Sequence, residues 1–147
     1  MKKTLMVAVV GALVAGGATL ALAQADVIKE RQENRKQVAA AMRTVKGVVE
    51  SKGDTKAVVE AAAKMKTLEN AFVKLFPPGS DKGDTKALPT VWSDTAGFQA
   101  ASKNAEAAYD KLAVAAGSGD LAAVKEAFDN TGKACGACHT KYRAKTN

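Results

Sequence analysis

The placement of proline is the feature that most constrains the fold of this chain. All three prolines, Pro77, Pro78 and Pro89, fall within one stretch of 13 residues. Proline lacks a backbone donor and clashes with the preceding helical turn, so it ends or kinks a helix. The sequence on either side is rich in alanine, lysine and glutamate, which favour helix. We therefore expect long helices on both sides of an irregular segment from Pro77 to Pro89.

Four segments, the first from Asp26 to about Ser51, carry stripes of residues spaced three and four positions apart, as on one face of a helix. The stripes are Ile28, Arg31, Arg35, Val38, Met42, Val45 and Val49; Val58, Ala61, Met65, Leu68, Phe72 and Leu75; Phe98, Ala101, Ala105, Ala108, Leu112 and Ala115; and Leu121, Val124, Phe128, Thr131, Cys135, Cys138 and Tyr142. Asp54, and either Ser93 or Asp94, can cap the helices that follow them. No segment has the pattern of a β-strand of useful length. Two short connections and one long one predict an all-α protein, an antiparallel up-down-up-down four-helix bundle.

The N-terminus has the three parts of a secretory signal peptide. Met1–Lys3 is positively charged, Thr4–Ala23 is weakly apolar, and Ala21–Ala23 forms an A-x-A cleavage box. A retained membrane anchor is the alternative, but the glycines in the run and the cleavage box favour removal. We expect a signal peptide at residues 1–23, a periplasmic location, no membrane attachment after cleavage, and a single domain at residues 24–147.

The charge of the chain is moderately positive. The formal charge of +7 falls to +5 without Lys2 and Lys3. Because the sequence contains no basic block and no nucleic-acid-binding motif, we expect no nucleic acid partner. A modest positive charge suits an acidic protein partner.

Cys135, Cys138 and His139 form the motif Cys-x-x-Cys-His and are the only cysteines and the only histidine of the chain. This is the attachment signature of c-type haem, in which each thiol adds to a vinyl group and the histidine binds the iron. A disulfide is the simplest alternative in an exported protein. A thioredoxin-like pair needs its first cysteine at a helix N-terminus, whereas Cys135 falls late in the last predicted helix. Structural zinc normally takes four nitrogen or sulfur ligands, and this chain offers three. We therefore predict one covalently bound haem c near the C-terminal helix, with His139 as the metal ligand.

Arg31 and Arg35 occupy stripe positions of the first helix where apolar residues are expected. An unpaired guanidinium in a bundle core is costly, so an anion is expected beside it. The propionates of a haem are such anions. The alternative is that this end of the stripe faces water.

Three segments resemble the class II c-type cytochromes, the cytochrome c prime family. They are CGACHTKYR at residues 135–143, ERQ at residues 30–32, and FPPGSDKGDTKALPTVWSD at residues 76–94. The resemblance covers residues 24–147 and implies a monohaem protein in which Arg31 and Gln32 contact the haem. It also implies a position for Asp84 at the haem edge and for Arg143 beside the proximal face. Many members of the family form dimers, which makes a homodimer a candidate assembly.

One residue departs from the family pattern. Four positions after the arginine of the Arg-Gln pair, the family places a distal residue over the iron, methionine in low-spin members and usually an apolar residue in five-coordinate ones. Arg35 stands there in this chain, and a guanidinium cannot ligate iron. Met42 lies about 10 Å further along the helix, and we expect Met42 and Met65 to fill the core. The prediction is five-coordinate high-spin iron with Arg35 near its open face or turned to a propionate; a register shift that brings Met42 to the iron is the remaining alternative.

These features favour a periplasmic electron carrier that is not an enzyme and exchanges single electrons with redox partner proteins. A second hypothesis is binding or detoxification of NO or CO at an open distal face, because it uses the same scaffold. A third is a thiol-disulfide oxidoreductase that uses Cys135 and Cys138. Peroxidase-like chemistry lacks a second histidine to move protons.

Overall fold

The computed structural model describes the backbone of residues 13–145 and the side chains of residues 24–145. In chain order its elements are α1 (Leu13–Ser51), α2 (Lys56–Phe72), a 3-10 turn (Val73–Leu75), the one-turn helix α3 (Thr90–Ser93), α4 (Thr95–Gly117) and α5 (Leu121–Tyr142). Of the predicted signal peptide, residues 1–12 lie outside the described residues, and residues 13–23 belong to the backbone of α1.

The long helices pack in sequence, α1 on α2, α2 on α4 and α4 on α5. α1 and α5 complete the bundle but touch over a shorter stretch than the other neighbours do. Within residues 13–145, β pairing is limited to one isolated bridge between Ala87 and Arg143. The prediction of an all-α four-helix bundle is confirmed. In the part of the chain that the structure describes, no helix is both long enough and apolar enough to cross a membrane.

Aspartate side chains accept backbone N–H groups at the starts of α2, α4 and α5. Asp94 accepts the backbone N–H of Gly97 at 3.1 Å, so the cap predicted at Ser93 or Asp94 is confirmed at Asp94. Asp54 accepts the backbone N–H of Lys56, the first residue of α2, at 2.9 Å. These contacts satisfy donors that the helix itself leaves free.

Two helix boundaries differ from the sequence prediction, and one short helix was not predicted. α1 begins at Leu13 instead of Asp26, because the alanine- and leucine-rich residues before Asp26 include no proline to end a helix. The α-helical part of α2 ends at Phe72, before the predicted Leu75, since the chain tightens into a 3-10 turn ahead of Pro77. The helix α3 was absent from the prediction; it follows Pro89, whose φ of −53° is already that of a helix.

The half of the bundle near the α1–α2 and α4–α5 connections has an almost entirely apolar core, which we call the closed-end cluster. It comprises Val38, Ala41, Val45, Val58, Ala61, Ala62, Met65, Ala105, Tyr109, Leu112, Ala116 and Val124. Met65 is fully buried within it and Met42 packs against it, so both methionines contribute to the core. On α4 the buried face is shifted by one residue at three positions, where Ser102, Tyr109 and Ala116 are buried in place of Ala101, Ala108 and Ala115.

The other half has an aromatic core, which we call the loop-end cluster. Val91, Phe98 and Tyr142 are buried there, and Phe72, Val73, Phe76, Ala87, Trp92, Ala101 and Cys138 pack against them. The ring of Phe76 meets those of Phe72, Phe98 and Trp92 edge-on, with centroids 5.0, 4.9 and 5.8 Å apart. Such edge-to-face contacts favour a fixed arrangement of the rings.

The long connection of residues 77–89 lies over the loop-end cluster and is held to the end of α5. The backbone N–H of Leu88 donates to the carbonyl of Tyr142 at 3.0 Å, and that of Ala144 donates to Lys86 at 2.8 Å. Trp92 packs under the connection and donates its indole N–H to the carbonyl of Pro77 at 3.2 Å. Trp92 therefore links the connection to the loop-end cluster.

Candidate haem-attachment site

Cys135, Cys138 and His139 share one face of α5, and both thiols are free. All three residues are half-buried, whereas Thr131 and Tyr142 at either end of this face are buried. The side chains of the motif are therefore less covered by neighbouring helices than the two ends of this face are. The helix that would supply the cover is α1, which touches α5 over a short stretch only.

The two thiols have different neighbours on α4 and in the loop-end cluster. The Sγ atom of Cys135 lies 3.9 Å from the hydroxyl oxygen of Tyr109, which is almost fully buried. Cys138 packs against the cluster that contains Phe98 and Tyr142. A group bonded to both sulfurs would therefore span the region between Tyr109 and the aromatic rings.

Burial determines the protonation of the motif. It lowers the pKa of His139, and the positive charges of Arg143 and Arg35 lower it further. The imidazole is therefore neutral at pH 7, and a neutral imidazole has the lone pair that iron binds. Burial also raises the pKa of both thiols, that of Cys138 to about 11, so the sulfurs remain protonated.

The residues present fit a covalently attached haem. Two S–H groups three residues apart and a neutral imidazole next to the second lie on one helical face. Apolar rings from the loop-end cluster adjoin Cys138, as the flat apolar macrocycle requires.

Arg35 forms an ion pair with Glu69 of α2, with 2.8 Å between Nη1 and Oε2. Its Nε and Nη2 donate to the side-chain oxygen of Asn34 at 3.0 and 2.6 Å, and its guanidinium carbon lies 3.6 Å from the ring centroid of Phe72. The other oxygen of Glu69 accepts from the hydroxyl of Ser102 at 2.9 Å. The sequence expectations for Arg35, an open iron face or a propionate, did not include this protein counter-ion.

Arg31 is buried, so the alternative that this end of the stripe faces water is wrong. Its guanidinium donates to the carbonyls of Leu75 and Ser80 and to the Ser80 hydroxyl, and it lies 4.2 Å from the ring centroid of Phe76. Burial lowers the pKa of Arg31. These partners are neutral, so the anion expected beside Arg31 is replaced by backbone and hydroxyl oxygens of Leu75 and Ser80. A propionate contact stays a prediction.

The remaining predicted haem contacts are exposed. Gln32 donates its side-chain amide to the backbone carbonyl of Asp84 at 2.9 Å, so the structure brings these two residues together through the Asp84 backbone. Arg143 follows the last residue of α5, where its charge acts on His139. The haem contacts of these three residues stay predictions.

Glu69 is the residue of this region that the sequence analysis missed. It is 5% exposed and follows Met65 by four positions, whereas the predicted stripe continued to Leu68. An acidic residue beside the stripe of one helix, with Arg35 on the stripe of the preceding antiparallel helix, was the available signal. Ser102 was not predicted because the buried face of α4 is shifted by one residue from the predicted stripe.

The fold and the site together define a class of protein. A four-helix bundle with Cys-x-x-Cys-His on its last helix is a c-type cytochrome of the bundle type. The family model described as Cytochrome C' matches residues 26–143. The chain belongs to the cytochrome c' family and is a monohaem c-type cytochrome with one covalently attached haem c.

Several known proteins are similar over most of the chain. Cytochrome c' of Rubrivivax gelatinosus is 41% identical over 123 residues, which cover 82% of this chain and 95% of the relative, and its crystal structure superposes with a TM-score of 0.73. The nitric oxide complex of a mutant cytochrome c prime from Alcaligenes xylosoxidans is 31% identical, with a TM-score of 0.75 and coverage of 84% and 97%. A cytochrome c' with an unusual ligand-controlled dimer dissociation is also 31% identical, with a TM-score of 0.77 and coverage of 83% and 97%.

Proposed function

We propose that this protein carries single electrons in the periplasm, with haem held by Cys135 and Cys138 and its iron bound by His139. The observation that supports this most is the half-buried face of α5, where two free, protonated thiols adjoin a neutral imidazole. Each S–H adds across one vinyl double bond, so no oxidant is consumed and no atom is lost. The haem then supplies an iron that cycles between ferric and ferrous states. The signal peptide predicted from the N-terminal sequence supports the periplasmic location.

The chain supplies a rigid frame for such a group. The closed-end cluster buries Val124 near the start of α5, and the hydroxyl of Tyr142 donates to Asp94 at 2.8 Å at its other end. A helix held at both ends keeps the imidazole of His139 in one position in both oxidation states. Little reorganisation on reduction favours rapid electron exchange.

The contacts of α1 and α2 support five-coordinate iron. Met42 packs against the closed-end cluster, both oxygens of Glu69 have partners, and a guanidinium cannot ligate iron. Among the side chains the structure describes near the motif, each candidate sixth ligand is therefore engaged elsewhere or chemically unsuitable. We infer high-spin iron with one open face.

Binding of NO or CO at that face is the second candidate function. The nitric oxide complex of the Alcaligenes xylosoxidans relative favours it. The thiol-disulfide hypothesis has less support, because Cys135 lies in the second half of α5, away from a helix N-terminus, and burial raises the pKa of its thiol. A homodimer stays a prediction, supported by the relative whose dimer dissociates under ligand control.

Absorption spectra of the purified exported holoprotein test these proposals. We expect a reversible one-electron titration, a high-spin spectrum, and an immediate spectral change when carbon monoxide is added to the reduced protein. Irreversible reduction would contradict an electron carrier. A low-spin spectrum that carbon monoxide leaves unchanged would contradict the open face and, with it, the second function.

A further inference from the structure

The ion pair of Arg35 and Glu69 lies at the level of the two thiols. Ser102, which donates to Glu69, stands on α4 between Phe98 and Tyr109. Phe98 belongs to the cluster against which Cys138 packs, and Tyr109 contacts Cys135. Glu69 is therefore held at a height between Cys138 and Cys135, and a ring bonded to both sulfurs would lie beside it.

Arg35 reaches the same region from α1. Its guanidinium lies over the ring of Phe72, which packs in the cluster that includes Cys138. The charge of Arg35 acts on Cys135, Cys138 and His139 alike, as does that of Glu69. Both members of the ion pair are thus neighbours of whatever the motif holds.

The hydrogen bonds of Arg35 leave part of its donor capacity unused. A guanidinium has five N–H groups, and the contacts to Asn34 and Glu69 engage three of them. The side chain is 30% exposed, against 7% for that of Glu69. Arg35 is therefore the accessible member of the ion pair, and within the described part of the chain two of its N–H groups are free to donate hydrogen bonds.

We propose that Arg35 is an anion-binding residue of the haem site, which takes a small hydrogen-bond-accepting anion on the oxidised protein, and that Glu69 limits the affinity by competing for the same guanidinium. This inference rests on the proposed attachment of haem at Cys135 and Cys138. The oxidised haem adds positive charge beside Arg35, which favours an anion over a neutral ligand. Glu69 opposes it by neutralising Arg35 and occupying one of its donors.

Fluoride is a suitable probe, because it is small and accepts strong hydrogen bonds from charged donors. The oxidised holoprotein is titrated with sodium fluoride at constant ionic strength, and binding is followed by the haem absorption. We expect saturable binding to the unmodified protein. Glu69→Gln should bind more tightly, since the amide carries no charge to compete for Arg35.

The decisive comparison is between Glu69→Gln and Arg35→Leu/Glu69→Gln. Neither variant contains a lone buried carboxylate, so both should fold, and they differ only in the guanidinium. The double variant should bind fluoride roughly ten- to a hundredfold more weakly than Glu69→Gln. Arg43→Leu removes an exposed arginine from the same helix and serves as the control, with unchanged fluoride affinity.

Equal fluoride affinity of Glu69→Gln and the double variant would overturn the inference, as would weaker binding by Glu69→Gln than by the unmodified protein. The proposed haem attachment fails separately, if the purified chain contains no covalently bound haem, and the proposed open face fails if the reduced protein does not respond to carbon monoxide. If the protein contains haem and binds carbon monoxide, but its fluoride affinity does not depend on Arg35, only the anion-binding role is rejected.

Discussion

The two ends of the bundle are built from different kinds of side chain. At the closed end, apolar residues from all four long helices fill the interior, and Val45, Val58, Leu112 and Val124 have no exposed surface. At the loop end, aromatic rings lie against the guanidinium groups of two arginines, and one of these arginines pairs with a glutamate. Among the described residues, every buried side-chain nitrogen and oxygen has a hydrogen-bond partner.

The difference separates stability from chemistry within one domain. Apolar burial is the main source of folding free energy and needs no particular partner. Charged groups in an interior are costly unless their partners are in place, but they determine which ligand a site accepts. We therefore expect substitutions at the closed end to change stability with little effect on the haem, and substitutions at the loop end to change both.

The largest effect is expected at the closed end. Leu112→Ala removes a fully buried side chain and leaves a cavity, which should lower the free energy of unfolding by about 4 kcal/mol. Urea unfolding of the holoprotein measures the loss, and the absorption spectrum of the haem should not change. Val114→Ala, at an exposed position of the same helix, is the control with little effect. A changed haem spectrum in Leu112→Ala would show that the two ends are not separate.

A somewhat smaller loss is expected for Arg35→Leu, which leaves Glu69 buried without its counter-ion. Because Arg35 is partly exposed, we expect about 2–3 kcal/mol, below the cost of breaking a fully buried pair. Arg35→Leu/Glu69→Leu should recover most of it, since it removes both charges.

Lys66→Gln, which breaks an exposed ion pair between α2 and α4, should cost less than about 1 kcal/mol and is the matched control. A double variant as unstable as Arg35→Leu alone would mean that the pair does not account for the loss.

The smallest effect concerns pH at the junction of α4 and α5. Hydrogen bonds from Lys141 and Tyr142 and from the backbone of Gly97 lower the pKa of Asp94 from 3.8 to about 2. A carboxyl group whose pKa is lowered on folding stabilises the protein above its unfolded pKa, and this contribution is lost as the pH falls from about 4 towards 2. Asp94→Asn keeps the capping geometry but removes the charge.

Unfolding experiments at several pH values check this expectation. The unmodified protein should be more stable than Asp94→Asn at pH 6, and the difference should shrink as the pH approaches 2. A difference in unfolding free energy that is independent of pH would contradict the assignment of the low pKa to Asp94.

The helices and the attachment motif could be predicted because they depend on local sequence. The stripes follow from the period of the helix, the cap at Ser93 or Asp94 from its position before an apolar run, and the motif from three positions within five consecutive residues of α5. Each of these patterns needs no knowledge of what packs against it.

The partners of the arginines could not be predicted in this way. Glu69 and Leu68 fit the spacing on α2 equally well, and the way α2 packs between α1 and α4 decides which of them meets Arg35. The acceptors of Arg31 lie partly in the long connection, where Gly79 and Gly83 have positive φ angles of 83° and 99°. Their positions depend on a loop conformation that no periodicity describes.

Mass spectrometry of the intact exported protein tests the attachment of haem at α5 most directly. We predict the mass of the processed chain plus one haem, retained under denaturing conditions, and no added mass in the double variant Cys135→Ala/Cys138→Ala. A chain without added haem mass, or one in which the sulfurs of Cys135 and Cys138 are bonded to each other, would contradict the account.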